Sequence, residues 1–277
     1  MGKTAIVTGG THKDVFAMGA LALNIREITS DLADELIIFH DGISEKEQQI
    51  IKQIFPTKFV RYNFSVGFWA KRRNSSLRYF SPMVFCKYEC FRLLQEYDRV
   101  IWTDYDIVIV KELKELVQDN AGLQIVEDSA PMKRMFFENA EQGDFREFDL
   151  EKRGVCTPLF VLTREIGNYQ KYYDWCNQET LKYAPYIYLP EQCIISMLIQ
   201  KFHISYTHLP AEKYALHPNS YDGKASIIHA YGRPKFWEGL SNEQWNKYYT
   251  EWISAGGRPY KKPIKEKLIE AKTKLIG

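Results

Sequence analysis

The sequence predicts an α/β fold in which a mostly parallel sheet is flanked by helices, with a small helical region at the carboxy end. Three observations carry this. Short runs rich in Val, Ile and Phe alternate with runs of helical period along the first half of the chain, the pattern of repeated strand-helix units. The strand runs are apolar along most of their length, as strands covered on both faces must be. A hydrophobic share of 45% in 277 residues is enough for the core of one large domain.

Taken in order, "TAIVT" (4–8) is the first strand and "DVFAMGALALNIREI" (14–28) the first helix. "ELIIFHD" (35–41) is the second strand. "SEKEQQIIKQIF" (44–55) is a helix that opens on Ser44, with Glu47 three residues on, a pair able to cap the first turn reciprocally. "KFVRYNF" (58–64) is a third strand, and "SPMVFCKYECFRLLQEY" (81–97) a helix with Pro82 near its start. The run "YDRVIWTDYDIVIVKEL" (97–113) then supplies a buried strand that ends in its two aspartates. Residues 128–154 have no clean period and mix charge with aromatics, so they are expected to form a long excursion or lid. "VCTPLFVLTRE" is a strand, "NYQKYYDWCNQETLKY" and "PEQCIISMLIQKF" are helices, and "KASIIHAYG" is a last strand. The organisation expected is one catalytic-size domain over 1–240 and a helical, basic carboxy-terminal region over 241–277.

Composition excludes several classes. A formal charge of +2 gives no nucleic-acid signal, and no window approaches the roughly 20 apolar residues of a membrane span. The amino end lacks the apolar stretch of a signal peptide, so a cytoplasmic chain is expected. Five cysteines, Cys86, Cys90, Cys156, Cys176 and Cys193, show no paired C-x-x-C spacing and read as reduced, mostly buried thiols. "GKT" at 2–4 lacks the upstream strand and glycine loop of a phosphate-cradling P-loop.

The chemistry-bearing feature is Asp104 and Asp106, one residue apart at the end of an apolar run. Residues two apart in a strand share a side, so both carboxylates are expected at the carboxy edge of the sheet, where ligands of open α/β folds bind. Two close carboxylates repel, and a cation between them relieves this. Oxygen donors favour Mg²⁺ or Mn²⁺ over zinc. Aspartates at strand ends also serve simply as turn caps, and the D-x-D pattern does not distinguish the two.

The stretch "YDRVIWTDYDIVIVKEL" resembles the "D-rvlYLDaDvvv-dL" segment of glycosyltransferase family 8, the glycogenin-like and bacterial lipopolysaccharide galactosyl- and glucosyltransferases. "IIHAYGRPKFW" (227–237) is similar to that family's "IiHf-G--KPW" signature. "AIVTGG", "SPMVFCKYECFRLL" and "LPEQCIISMLI", the last resembling the family's "DQ-alN" helix start, fall in the right order. The resemblance implies a GT-A-type, Rossmann-like fold and a metal-dependent retaining hexosyltransferase that uses a UDP-sugar, UDP-galactose or UDP-glucose. It places Asp104, Asp106 and His229 on the metal, for which the imidazole favours Mn²⁺, with Mg²⁺ as the alternative. It places Lys235 on the diphosphate, Gly232 where backbone approaches closely, and Val7, Thr8, Gly9, Tyr105 and Lys87 around the donor. Glu191 is assigned to donor-sugar hydroxyls and Gln192 to the reaction centre. The absence of an evident opposed carboxylate pair leans the mechanism to front-face attack over a covalent intermediate.

Two departures stand out. The family's "fNaGvll" is "GVCTPLFVL" here, so Val155, Cys156 and Thr157 replace Asn, a small residue and Gly, and Phe236 replaces Pro in the "KPW" element. The lysine-rich end, with Ile264, Leu268, Ile269 and Leu275 at helical spacing, reads either as a docked surface helix or as a basic amphipathic contact with an anionic inner membrane face. "KRR" at 71–73 could serve the same surface. A cell-surface glycan such as lipopolysaccharide or capsule is the expected acceptor, against a soluble or protein acceptor or a non-catalytic nucleotide-sugar binding role.

Overall fold

The structure, a computed structural model, describes residues 2–64, 76 and 80–262. The expectations for Lys71–Arg73 and for the amphipathic tail from residue 263 onward lie outside the described residues. Strand β1 (Thr4–Gly10) leads through a short 3-10 turn to helix α1 (Val15–Ile28); β2 (Glu35–His40), α2 (Glu45–Ile54) and β3 (Thr57–Arg61) follow. A seven-residue 3-10 helix, Pro82–Tyr88, runs into the short α3 (Glu89–Leu93) and then β4 (Arg99–Thr103). Pro82 opens this element as expected, but its first two turns are 3-10 in form. The sequence does not specify that tighter winding.

The large sheet has the order β3-β2-β1-β4-β7-β6-β8, where β6 is Leu123–Pro131, β7 Arg153–Thr163 and β8 Thr207–Leu209. Strand β7 is antiparallel to both neighbours, β4 and β6, and the remaining pairs are parallel. The sheet is therefore mostly parallel, as predicted. Its pleat divides the apolar residues between two cores. Ala5, Val7, Ile37 and Phe39 join one cluster with Phe85, Tyr88 and residues of α4 (Tyr169–Tyr183) and α5 (Pro190–Phe202). Ile6, Leu36 and Ile38 join the other, with α1 and α7 (Glu243–Ser254). Between α5 and α7 lie a short helix α6 (Ala211–Tyr214) and strand β9 (Ile227–His229).

Residues 128–154 differ from the expected lid. Strand β6 runs into them as far as Pro131, and Met132, Met135, Phe136, Phe145 and Phe148 are all buried in the first core. Phe145 stacks on Tyr183 of α4 and meets Phe136 edge-on. The segment is aperiodic because it is an irregular wall of the core, whose aromatics fill space without a helix or strand repeat.

The carboxy-terminal helix α7 packs its buried Trp245, Tyr248 and Trp252 into the second core. A Cβ added at Gly19 on α1 would lie 2.2 Å from Trp252, so the indole occupies the space that glycine leaves. Arg258 reaches back to Glu47, 3.0 Å away, and to the His12 carbonyl. Among the described residues no helix is long and apolar enough to cross a membrane.

Candidate active site

The two aspartates lie at the carboxy end of a buried strand, as the sequence suggested. Strand β4 ends at Thr103, the chain bends through Asp104, Tyr105 and Asp106, and β5 (Ile107–Ile109) leaves the large sheet to pair antiparallel with β9. The apolar run hides this break because both halves are β-branched. The β5–β9 register sets Ile107 opposite His229, and the Ala230 amide donates to the Asp106 carbonyl at 2.9 Å. That ladder brings an imidazole from far along the chain beside the aspartates. The other edge of β5 is held by Asn24 of α1, 1% exposed, which donates to the Ile109 carbonyl at 2.8 Å and accepts from its amide at 2.7 Å. A side-chain amide here does the work of a neighbouring strand.

Each carboxylate divides its two oxygens. Asp104 Oδ1 accepts from Trp102 Nε1 at 2.9 Å and lies 3.1 Å from Lys87 Nζ, while Oδ2 is 4.0 Å from His229 Nε2. Asp106 Oδ2 is taken by Lys235 Nζ, and Oδ1 is 3.3 Å from His229 Nε2. The outer oxygens are thus fixed by lysines, and ligating atoms of Asp104, Asp106 and His229 lie within 4.8 Å of one another. An ion about 2.1 Å from each ligand sets its ligands roughly 3 to 4 Å apart, and the imidazole–carboxylate spacings of 3.3 and 4.0 Å fall in that range. Burial would raise the Asp106 carboxyl; His229 and Lys235 beside it outweigh burial and hold it well below the usual carboxylate range.

Lys87 is a hub. It is 5% exposed, and its Nζ contacts Glu191 Oε1 at 2.9 Å, Thr157 Oγ1 and carbonyl at 3.1 Å each, and Asp104. Burial alone would lower its pKa, but Asp104 and Glu191 reverse this and raise it, so the amine stays charged. Thr157 also donates to Glu191 Oε1 at 3.1 Å. The residue that departs from the family pattern therefore stands inside the site. Lys235 Nζ, besides Asp106, donates to the Ala230 carbonyl at 2.7 Å and is part of the same cluster.

Gln192, in the first turn of α5, donates to Asp128 Oδ2 at 3.4 Å and lies 3.9 Å from Cys156 Sγ. Asp128 carries no signal in the sequence. It falls where the β6–β7 register shifts between Glu127 and Pro131, and such irregularities re-aim side chains at active sites. Burial, and then Asp128, pushes the Cys156 thiol up to about 12.

Around β1, Val7 is wholly buried in the first core, and Thr8 is buried with no hydrogen-bond partner for Oγ1. The Cβ side of Gly9 is filled from below: a Cβ there would lie 2.4 Å from Cys86 Sγ, so this glycine admits Cys86. Gly10 gives way to Tyr105, whose ring would be 2.8 Å from an added Cβ. Tyr105 stacks on Trp237, with centroids 6.2 Å apart. Gly232 has φ +70°, and a Cβ added there would meet nothing within 4 Å, so the backbone after Tyr231 turns left-handed into open space.

The fold is of the GT-A type, a mostly parallel sheet flanked by helices, with an acid-imidazole cluster at the end of β4. The profile of glycosyl transferase family 8 matches residues 5–241, and the chain belongs to that family. Among solved structures, the galactosyltransferase LgtC in complex with donor and acceptor sugar analogues superposes with a TM-score of 0.65 at 13% identity, covering 91% of this chain and 99% of that one. The bifunctional glycosyltransferase WbbM in apo form gives 0.66 at 14%, covering 94% of this chain; this chain spans about half, 52%, of WbbM. GlyE of Streptococcus pneumoniae TIGR4 gives 0.58 at 14%, covering 94% and 66%. No curated relative matches the chain. The protein is a glycosyltransferase with a candidate metal site at Asp104, Asp106 and His229.

Proposed function

We propose that the protein transfers a hexose from UDP-galactose or UDP-glucose, with retention of configuration and with Mn²⁺ in its site, to a cell-surface glycan. The observation that carries the reading is the convergence of an imidazole on two carboxylates, each of which is already held by a lysine. A divalent ion held there would offset the charge that a diphosphate gains as the donor bond breaks.

The chain's own residues supply the rest. Lys87 and Lys235 hold Asp104 and Asp106 in place, which removes the cost of ordering them when donor binds. Glu191 has Oε1 occupied by Lys87 and Thr157, so it is suited to receiving a sugar hydroxyl through its other oxygen rather than to attacking carbon. Gln192, an amide, is no strong nucleophile. This supports front-face attack, with Gln192 and Asp128 beside the reacting centre. Tyr105, Thr8 and Gly232 belong to the nucleotide side in this reading, and Gly9 contributes by letting Cys86 pack.

The basic tail from residue 263 is the element proposed to contact anionic lipid. Its removal should begin after Lys262, because Arg258 and Tyr260 pack on the domain. The test is a panel of UDP-, GDP- and ADP-sugars with Mn²⁺, followed by UDP release and by thermal shift. One or both UDP-hexoses should raise Tm and be slowly hydrolysed. A donor outside the UDP-hexoses, or hydrolysis unaffected by chelation, would overturn the reading, and binding without turnover would make the protein a non-catalytic receptor for nucleotide sugars.

A further inference from the structure

Among the described residues the large apolar side chains left open to water are few: Tyr188 at 49%, Tyr221 at 41%, Tyr231 at 54% and Ile253 at 37% exposure. Scattered surface apolar residues need no explanation, but one of these is held at the candidate metal site. Three are tyrosines, and two are close in the chain to the site. Tyr231 lies two residues beyond the metal-ligand candidate His229, and Tyr188 three residues before Glu191.

Tyr231 is exposed but held. Its ring meets His229 edge-on at 5.6 Å and His217 at 4.9 Å, with interplanar angles of 61° and 66°. His217 is brought there because Leu216 bridges to Ile228 of β9 and the Leu216 carbonyl accepts from the His229 amide at 2.9 Å. His217 is itself fixed, capping the turn Pro218–Ser220 by accepting from the Asn219 amide; Tyr221 ends that turn. Gly232, directly after Tyr231, faces open space. The result is a flat, solvent-open ring between two imidazoles, beside the atoms proposed to carry the donor.

We propose that Tyr231, with His217 behind it, is the platform on which a pyranose ring of the acceptor stacks. This rests on the transferase reading above and deepens it, since it assigns the acceptor a ring-presenting glycan end rather than a peptide or a small acyclic alcohol. One face of a pyranose presents C–H groups of partial positive charge, and an aromatic face is electron-rich, so the two attract while the sugar hydroxyls remain free to bond at the ring's edge. A ring locked in advance loses little freedom on binding. The amphipathic character of tyrosine matches an amphipathic partner, which an aliphatic patch would not.

The test measures UDP release from the donor selected above. Acceptors are the methyl α- and β-glycosides of glucose and galactose and the disaccharides built from them. In wild type, at least one should accelerate UDP release beyond hydrolysis. Tyr231→Ala should raise the acceptor KM about three- to tenfold, with donor KM moving less than about twofold. Tyr231→Phe and Tyr231→Trp should restore the acceptor KM, because the ring and not the hydroxyl is used. Equal acceptor KM in Tyr231→Ala overturns the proposal, as does a parallel rise in donor KM and loss of Mn²⁺ affinity, which would make the ring a prop for His229. Failure of every sugar to stimulate wild type also counts against it. So does loss of binding to phosphatidylglycerol vesicles in Tyr231→Ala without a change in acceptor KM, which would make the tyrosines a lipid contact. Donor hydrolysis by wild type is read separately, so a failed transferase reading is distinguished from a failed platform.

Discussion

Replacing Lys87 by Met is the sharpest perturbation of the site's internal architecture. The side chain is 5% exposed, and its amine is shared among Asp104, Glu191 and Thr157 at 2.9 to 3.1 Å. Methionine matches its length but carries no charge, so Glu191, 7% exposed, is left in the interior beside Asp104 with no cation between them. Removing one partner of a buried pair costs about 3–5 kcal/mol. At about 2–4 °C per kcal/mol for a chain of this size, Tm should fall by about 6–20 °C. Scanning calorimetry without added metal reads this directly. Glu191→Gln in the same chain should recover at least about 1 kcal/mol, because it removes the stranded charge. A Tm within about 2 °C of wild type, or a double variant no better than the single, would refute the hub.

Asn24→Leu removes the amide that completes the edge of β5, leaving the Ile109 amide and carbonyl buried without partners; a loss of about 2–4 kcal/mol in urea unfolding is expected, together with weaker Mn²⁺ binding. Unchanged metal affinity in the folded variant would show that β5 does not position the aspartates. Cys156, whose thiol is raised toward about 12, should be about a thousandfold poorer in thiolate at pH 8 than an ordinary cysteine. Alkylation by iodoacetamide, followed by peptide mapping, should therefore be slow at pH 8 and rise about tenfold per pH unit above it, since deprotonation grows as pH climbs toward the raised pKa. Labelling at the rate of a free thiol would contradict this. Gly19→Ala gains about 1 kcal/mol of helix propensity but drives a methyl into Trp252, for about 1–3 kcal/mol of overpacking, so a net loss is expected in urea unfolding. A stabilised variant would mean that α7 does not press on α1.

Much of the molecule is legible in the chain. Ser44 does open α2, its Oγ accepting from the Glu47 amide at 3.4 Å, because capping is local chemistry readable from four residues; the Glu47 carboxylate takes the Ser44 hydroxyl at 2.7 Å instead of its amide. The D-x-D, the distant His229 and Lys235 are readable because their types and spacing repeat a known signature, and the fold places them together. What resists reading is set by long-range packing. The bend at Asp104 lies within one apolar run, and only β9, more than a hundred residues later, draws β5 out of the sheet. Lys87 is singled out by the resemblance, but its place as a buried link between Asp104, Glu191 and Thr157 emerges only when those residues close over it. Asp128 is an acid in an aperiodic stretch, and its aim comes from a register shift against β7. The contact of Gly9 with Cys86 is equally hidden, because Cys86 arrives on the helix packed beneath.

In this account donor activation depends on one ion gripped by three side chains. Crystals grown with Mn²⁺ and a UDP-sugar, with data collected at the manganese absorption edge, would locate it by anomalous scattering. The prediction is a single strong peak roughly 2.0–2.3 Å from Asp104, Asp106 and His229 Nε2. A peak that leaves His229 out of reach, or a donor complex with no peak between the two aspartates, would contradict it.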